Sequence, residues 1–546
     1  MADEMRTLGA DGAPSVIDEA YVGEIRGALG TIGEHDLAPR RSLRARLLTL
    51  AAIVGPGLIV MVGDNDAGGV ATYSQAGQNY GTTLLWTLLL LIPVLIVNQE
   101  MVVRLGAVTG VGHARLIVER FGRFWGAFSV GDLFLLNFLT ITTEFIGVSL
   151  ALSYFGVSKY VAVPIAAVSL IAITASGSFR RWERFMLLFV LANLLVIPLL
   201  VMSHPRIGPV ARDFFVPGIQ GGVSSGAVLL IIAIVGTTVA PWQLFFQQSN
   251  IIDKRITPRW INYERADTVI GSVVTVIGAA ALLVTAAFAF QHTPLAGHFG
   301  DALGVANGLA RQLGRTAGDL FAIILLNASI IGAAAVTLST SYAFGDVFGT
   351  RHSLHRGIRE AKFFYASFAL IVFMAAGIVL IPGAPLGLIT TSVQALAGVL
   401  LPSATVFLLL LCNDRDVLGP WVNRPWLNVV ATVIVSVLLM LSLVLMTTTV
   451  FPGVDVPLLV VVLGVVLVVG LAAGGLAALW SGAHRPTAPV APEAARRETW
   501  RMPPLALLGR PVWSRGRRAA MTALWVYLAL AIVLLLVKTV QLGLGH

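Results

Sequence analysis

Apolar runs of about twenty residues recur along nearly the whole chain, each long enough to cross a bilayer core of ~30 Å. Thirteen can be bounded, at roughly 47–78, 83–104, 126–154, 160–178, 185–203, 225–250, 268–291, 317–348, 363–382, 387–412, 427–449, 456–480 and 520–542. A chain of 546 residues that is 57% hydrophobic and 12% charged is not a soluble protein. With the N-terminus placed inside, cytoplasmic segments carry 31 of the 37 Lys and Arg residues. This bias supports both that orientation and the odd number of spans, and it puts the C-terminus outside. Most of the formal charge of +9 therefore belongs to membrane orientation rather than to nucleic acid. No cleavable signal peptide is visible; residues 1–45 read as a mobile cytoplasmic tail.

Within the first run, Val62–Tyr80 reads VGDNDAGGVATYSQAGQNY. An acid inside a membrane helix costs at least ~3 kcal/mol and usually faces a cavity or a partner. Consecutive glycines weaken a helix by roughly 1 kcal/mol each. The expectation is a helix broken at Asp66–Gly69, its carboxylate and freed carbonyls turned towards a cation.

The first ten runs pair as five plus five, over 46–203 and 225–412. The sixth, the counterpart of the first, carries its own breaker in Pro241, preceded by Gly236 and two threonines. Interruptions at matching positions of two halves point to a transporter binding site near the midplane. Spans 11 and 12 (425–481), a basic loop (482–519) and a last span with an outer C-terminus (520–546) lie beyond the pair. That loop mixes Arg485, Arg496, Arg497, Arg501, Arg510, Arg515, Arg517 and Arg518 with Trp500 and Trp513. It suits a surface-lying segment on anionic lipid, although orientation alone also makes inner loops basic. The single cysteine, Cys412, excludes an intramolecular disulfide and a cysteine metal cluster.

The segments GPGLIVMVGDNDAGGVATYSQAG from Gly55, RLGAVTG at Arg104–Gly110, GTTVAPWQLFFQQS from Gly236 and the run Leu388–Gly419 resemble the Nramp divalent-metal transporters. The resemblance spans roughly 45–420. It implies an all-α, LeuT-like inverted-repeat membrane fold, alternating access and transition-metal transport, with spans 11 to 13 outside the repeat. Where the family has Asp-Pro-Gly-Asn, this chain has Asp66-Ala67-Gly68-Gly69, so the ligand asparagine is replaced by glycine. Where the family has a metal-binding Met before Pro, this chain has Ala240 before Pro241. By the same resemblance Thr237 would donate a backbone carbonyl and Gln394 would face the site.

A thioether favours softer transition metals, so its loss leaves hard donors: the Asp66 carboxylate, carbonyls of Ala67 and Thr237, and oxygens such as that of Gln394. Mg²⁺ dehydrates reluctantly and suits a widened oxygen site with one acid. The expected cargo is thus Mg²⁺, with Mn²⁺ also passing, as in the Nramp-related magnesium transporters that lack the Met. The histidines of proton-coupled members are replaced by Trp242 and Gln247, and the third-span acid pair retains Glu144 but has Ile141 in place of the Asp. Neither Trp nor Gln titrates near neutral pH. The expectation is uncoupled uptake, since a divalent ion gains ~4.6 kcal/mol per 100 mV on moving inward.

Asp64, Glu144, Trp242 and Gln243 are candidates for the vestibule or a residual proton path. No Walker, Rossmann or nucleophile-elbow pattern stands in a suitable context, and the chain reads as no enzyme, without cofactor beyond its cargo. The rival readings are a proton-coupled Mn²⁺/Fe²⁺ importer, a cation-coupled amino-acid transporter of the same fold, and a non-transporting receptor. A bacterial-type plasma membrane is the expected location.

Overall fold

The computed structural model describes residues 19–36, 38–451, 453–482, 497–498, 500–509, 511 and 514–543. Among the described residues the regular structure is all-helical apart from one short hairpin. Among the described residues ten helices are long and apolar enough to cross a membrane, from Leu85–Thr109 to Val456–Leu476. The first span is broken, the fourth (Lys159–Thr174) is short, and the thirteenth expected run falls on the helix Arg515–Gly543, which is not among those ten. All thirteen expected spans therefore fall on helices. They are arranged in the LeuT-like manner, with the first and sixth spans interrupted.

The first span departs from its expected bounds. Leu43–Ile53 forms a separate helix, bent by 54° from the half-helix Pro56–Gly63. Its Leu43, Leu47 and Leu48 are exposed, as suits a helix lying at the membrane surface. The joint between the two needs Gly55, whose φ is 154° and whose Cβ position is filled by Glu183. Asp267, from the seventh span (Ile261–Phe290), then accepts from the amides of Gly55 (3.0 Å), Gly57 (2.8 Å) and Leu58 (3.2 Å). A carboxylate on these orphan donors compensates the positive end of the half-helix. Lys254 completes the joint, donating to the carbonyls of Ile53 (2.6 Å) and Val54 (2.9 Å) and to Glu183 (2.6 Å).

Residues 19–36, read from composition as part of a mobile tail, are ordered instead. Ile25–Gly27 pairs antiparallel with Gly30–Ile32, and the hairpin buries Ile25, Ala28 and Ile32. It is clamped by Glu183, which accepts from the Ala28 amide at 2.5 Å, and by Arg184 and Arg255, which donate to the carbonyls of Ala28 (3.0 Å) and Ala20 (2.8 Å). Tyr21 donates to the carbonyl of His352. Composition hid this because the strands are three residues long and are held by side chains far away in the chain, Glu183, Arg184 and Arg255. Residues 1–18 lie outside the described part.

Contacts of Arg120 with Asp414 and the Gly509 carbonyl, and of Met502 with Val108, place the loops after spans 2, 10 and 12 at this same end. Of the basic loop, Arg485, Arg496, Arg510 and Trp513 lie outside the described residues. Its described part packs on the protein: Trp500 covers Gly419, and Arg497 donates to the Pro420 carbonyl at 2.8 Å. The thirteenth span leans on the tenth and eleventh. Tyr527 bonds Ser442 (2.6 Å) and the Val399 carbonyl (2.5 Å), and Trp525 stacks on Phe124 with centroids 5.3 Å apart.

Candidate functional site

The first interruption falls at Asp64–Asp66, not at Asp66–Gly69. Asp66 is extended (φ −70°, ψ −177°) and its carboxylate accepts from the Gly69 amide at 2.6 Å, so it caps the second half-helix, Ala67–Tyr80. The glycines are the first turn of that helix rather than the gap before it. A capping carboxylate reaches three residues forward, and a turn of small residues lets it close tightly. Ala67 is accordingly helical, and it is its amide that makes a lateral bond, to Glu144 Oε2 in the third span at 3.1 Å.

The second interruption lies at Val239–Ala240, between Ser225–Thr238 and Pro241–Asp253. A helix continued past this point would satisfy the carbonyl of Thr237 with the amide of residue 241. Proline has none, so that carbonyl is released. The tenth span approaches here at backbone distance, a Cβ on Gly236 reaching to 2.5 Å from the Gln394 carbonyl. Small residues permit that contact between membrane helices.

The two breaks face one another. A Cβ on Gly69 would stand 3.3 Å from Thr237 Oγ1 and 2.8 Å from the Asp64 carbonyl, and one on Gly68 would overlap the Gln394 amide. Tyr73 ties the halves together through Thr238 Oγ1 at 2.8 Å. Asp66 and Glu144 lie against each other, and both flank Gly332 of the eighth span. Two carboxyl groups in contact in a dry interior need a proton or a cation between them.

Asp66, Ala67, Gly69, Thr237, Gln394 and Glu144 are thus drawn together. Asp64, Trp242 and Gln243 form a second layer towards the hairpin end. Gln243 donates to Asp64 Oδ1 and to the Thr238 carbonyl (3.2 Å), while Gln99 donates to Gln243 Oε1 at 3.0 Å. Trp242 is buried: its ring reaches 3.3 Å from the Cβ position of Gly63, and its carbonyl accepts from Ser339 at 3.0 Å. Ala240, 6% exposed, begins the second half-helix of the sixth span without adding a donor of its own side chain.

Buried polar atoms without a partner among the described residues occur at this place: Glu144 Oε1, Thr237 Oγ1 and Gln394 Nε2, with Asp64 Oδ2 in the adjoining layer. They come from four spans, and each unsatisfied group is costly unless something else engages it. Rotation of the Gln394 amide would present its oxygen in place of the nitrogen. A small cavity of about 10 Å³, lined by Ala67, Thr143, Gly147, Asp301, Gly387 and Thr390, lies beside the first turn of the second half-helix.

Sequence reasoning missed Tyr73, the Glu183–Lys254 pair and the Asp267 cap. A carboxylate near the start of the seventh run and a Gly-Pro-Gly at the start of the first were visible separately. Nothing local joins residues more than two hundred positions apart.

Comparison with known proteins follows this geometry. A family model described as natural resistance-associated macrophage protein-like (Nramp) matches residues 57–448. The chain is 26% identical over 416 residues to a divalent metal cation transporter MntH of Burkholderia ambifaria, covering 72% of this chain and 89% of that relative. It is 25% identical over 402 residues to an MntH of Staphylococcus aureus, covering 70% and 87%. The crystal structure of an Eremococcus coleocola manganese transporter superposes with a TM-score of 0.61 at 21% identity, over 82% of this chain and 96% of that one, a likeness of fold.

Proposed function

This chain belongs to the Nramp family, and from that premise we propose that it carries divalent metal cations across the membrane, Mg²⁺ first and Mn²⁺ with it, without moving protons. The halves 46–203 and 225–412 rock about the two breaks by alternating access, in a bacterial-type plasma membrane with the hairpin end inside. Asp66 is the anionic ligand. The Thr237 carbonyl, released by Pro241, and the Gln394 oxygen complete a hard donor set, with water in place of the side-chain ligand that Ala240 lacks.

The observation that carries the reading is the convergence of unpartnered oxygens on a break with no soft donor. A thioether at position 240 would favour softer ions; a methyl group leaves discrimination to size and hydration. The membrane potential supplies the drive.

One observation favours a second reading, proton-coupled Mn²⁺ import. Glu144 keeps an unpartnered oxygen while touching Asp66, so a proton path survives in outline. The name of the structurally similar manganese transporter points the same way. Liposomes holding the purified protein and a pH dye separate the two. Saturable Mg²⁺ uptake without internal acidification, lost in Asp66→Ala, is the expected result. Mn²⁺ uptake with acidification and no Mg²⁺ flux would establish the second reading and refute the first.

A further inference from the structure

At the hairpin end, away from the broken helices, a cavity of about 280 Å³ opens between the second, seventh and eleventh spans. Its charged walls are Arg104, Arg265, Arg424, Arg497 and Glu100, and Trp421 and Trp426 line it as well. Glu100 is engaged twice, by Arg104 at 2.9 Å and by Arg265 at 2.6 Å. One carboxylate against four guanidinium groups leaves the cavity strongly positive.

The arginines differ in what they do. Arg104 is buried and spent on protein, donating also to the Trp421 carbonyl (2.5 Å) and Asn423 (2.6 Å). Arg497 is held by the Pro420 carbonyl and lies over the Trp421 ring at 5.4 Å. Arg265 also lies over that ring, at 5.9 Å, and stays one-third exposed. Arg424 is exposed, and none of the described residues accepts a hydrogen bond from its guanidinium. It is the N-cap of Pro425–Val450, a helix whose first turn receives no side-chain cap. Pro425 brings no amide, but Trp426 and Leu427, whose first-turn amides have no side-chain cap, line the cavity together with Arg424, a setting that suits a phosphate oxygen.

We propose that this cavity binds the phosphate of an anionic phospholipid. The position argues for a lipid over a soluble anion. Trp426 is 60% exposed beside Leu427 at the start of an apolar span whose Val429 and Val433 are also exposed. A tryptophan at that level marks the headgroup layer, and the apolar flank below it accepts acyl chains. The volume is slightly smaller than that of pockets for drug-sized ligands, which fits a headgroup.

The test is native mass spectrometry of the full-length protein in detergent, titrated with phosphatidylglycerol or with phosphatidylcholine of the same acyl chains. Phosphatidylglycerol binds at least about tenfold more tightly in the wild type, a preference that Arg424→Gln removes. Arg415→Gln, an exposed basic position outside the cavity, leaves it unchanged. Since Arg424 donates to no group among the described residues, its variant is expected to keep the wild-type melting temperature, which separates a loss of binding from a loss of fold. Equal binding of the two lipids, or full phosphatidylglycerol binding by Arg424→Gln, overturns the proposal. Saturation by inorganic phosphate with no gain from phosphatidylglycerol overturns the lipid assignment.

Discussion

Asp66 has two tasks, and substitutions can separate them. Its carboxylate caps the second half-helix through Gly69, a role that asparagine also fills and alanine does not. Asp66→Asn should therefore keep the wild-type melting temperature while lowering divalent-metal uptake by about a hundredfold, because only the charge is lost. Asp66→Ala should lose uptake equally and also about 1 kcal/mol of stability. Equal uptake by wild type and Asp66→Asn would remove Asp66 from the ion's path. Gly69 shows the opposite constraint. A Cβ there meets the Asp64 carbonyl at 2.8 Å, and backbone cannot step aside as a side-chain end can. Gly69→Ala should cost about 1–3 kcal/mol, read as a lower melting temperature. Putting the family's asparagine back at this position does not restore a ligand unless the Asp64 carbonyl withdraws.

Elements are held by groups that their own sequence does not contain. The half-helix Pro56–Gly63 begins on the Asp267 carboxylate of the seventh span. Asp267→Asn leaves one acceptor oxygen for three amides and should destabilise the protein by about 1–3 kcal/mol, measured by thermal denaturation in detergent. The short helix His113–Phe121 is anchored by His113, whose Nδ1 meets Gln248 Oε1 at 2.9 Å and whose ring stands edge-on to Phe245 at 4.7 Å. Burial pushes the His113 pKa down to about 4 from the ordinary 6.5. The unfolded chain thus takes up a proton that the fold refuses, and the stability this gives above pH 6.5 is lost as the pH falls towards 4. The wild-type melting temperature should drop between about pH 7 and pH 5, and His113→Gln should flatten that drop. The apolar runs made most helices legible, since bilayer length and composition determine them. The breaks were legible too, because acids, glycines and proline contradict the solvent around them. Their register was not: the capping reach of Asp66 shifts the first break two residues earlier.

Over the whole molecule, the family likeness and the ten long apolar helices were readable from sequence, whereas the packing of the hairpin end was not. Glu183, Lys254 and Arg255 gather loops that lie far apart in the chain, and burial of Glu183 and Lys254 leaves no local pattern to read. The strands Ile25–Gly27 and Gly30–Ile32 press on Ala52 with glycines that leave no room for a side chain. Removing residues 1–32 should raise the maximal rate of ion release at that end without changing selectivity at the broken helices, as stopped-flow measurement of uptake into liposomes would report. An unchanged rate would mean that the hairpin opens faster than the ion leaves.

A segment joined to the body it closes is a ligand supplied in cis, present at the millimolar effective concentrations that short tethers give. Its hold is therefore set by occupancy rather than by a hinge. A free peptide of residues 19–36 added to the shortened protein should slow release again in proportion to its concentration. Any cellular factor that captured those two strands would become, without touching the ion site, a regulator of how long the carrier dwells before letting its cargo go.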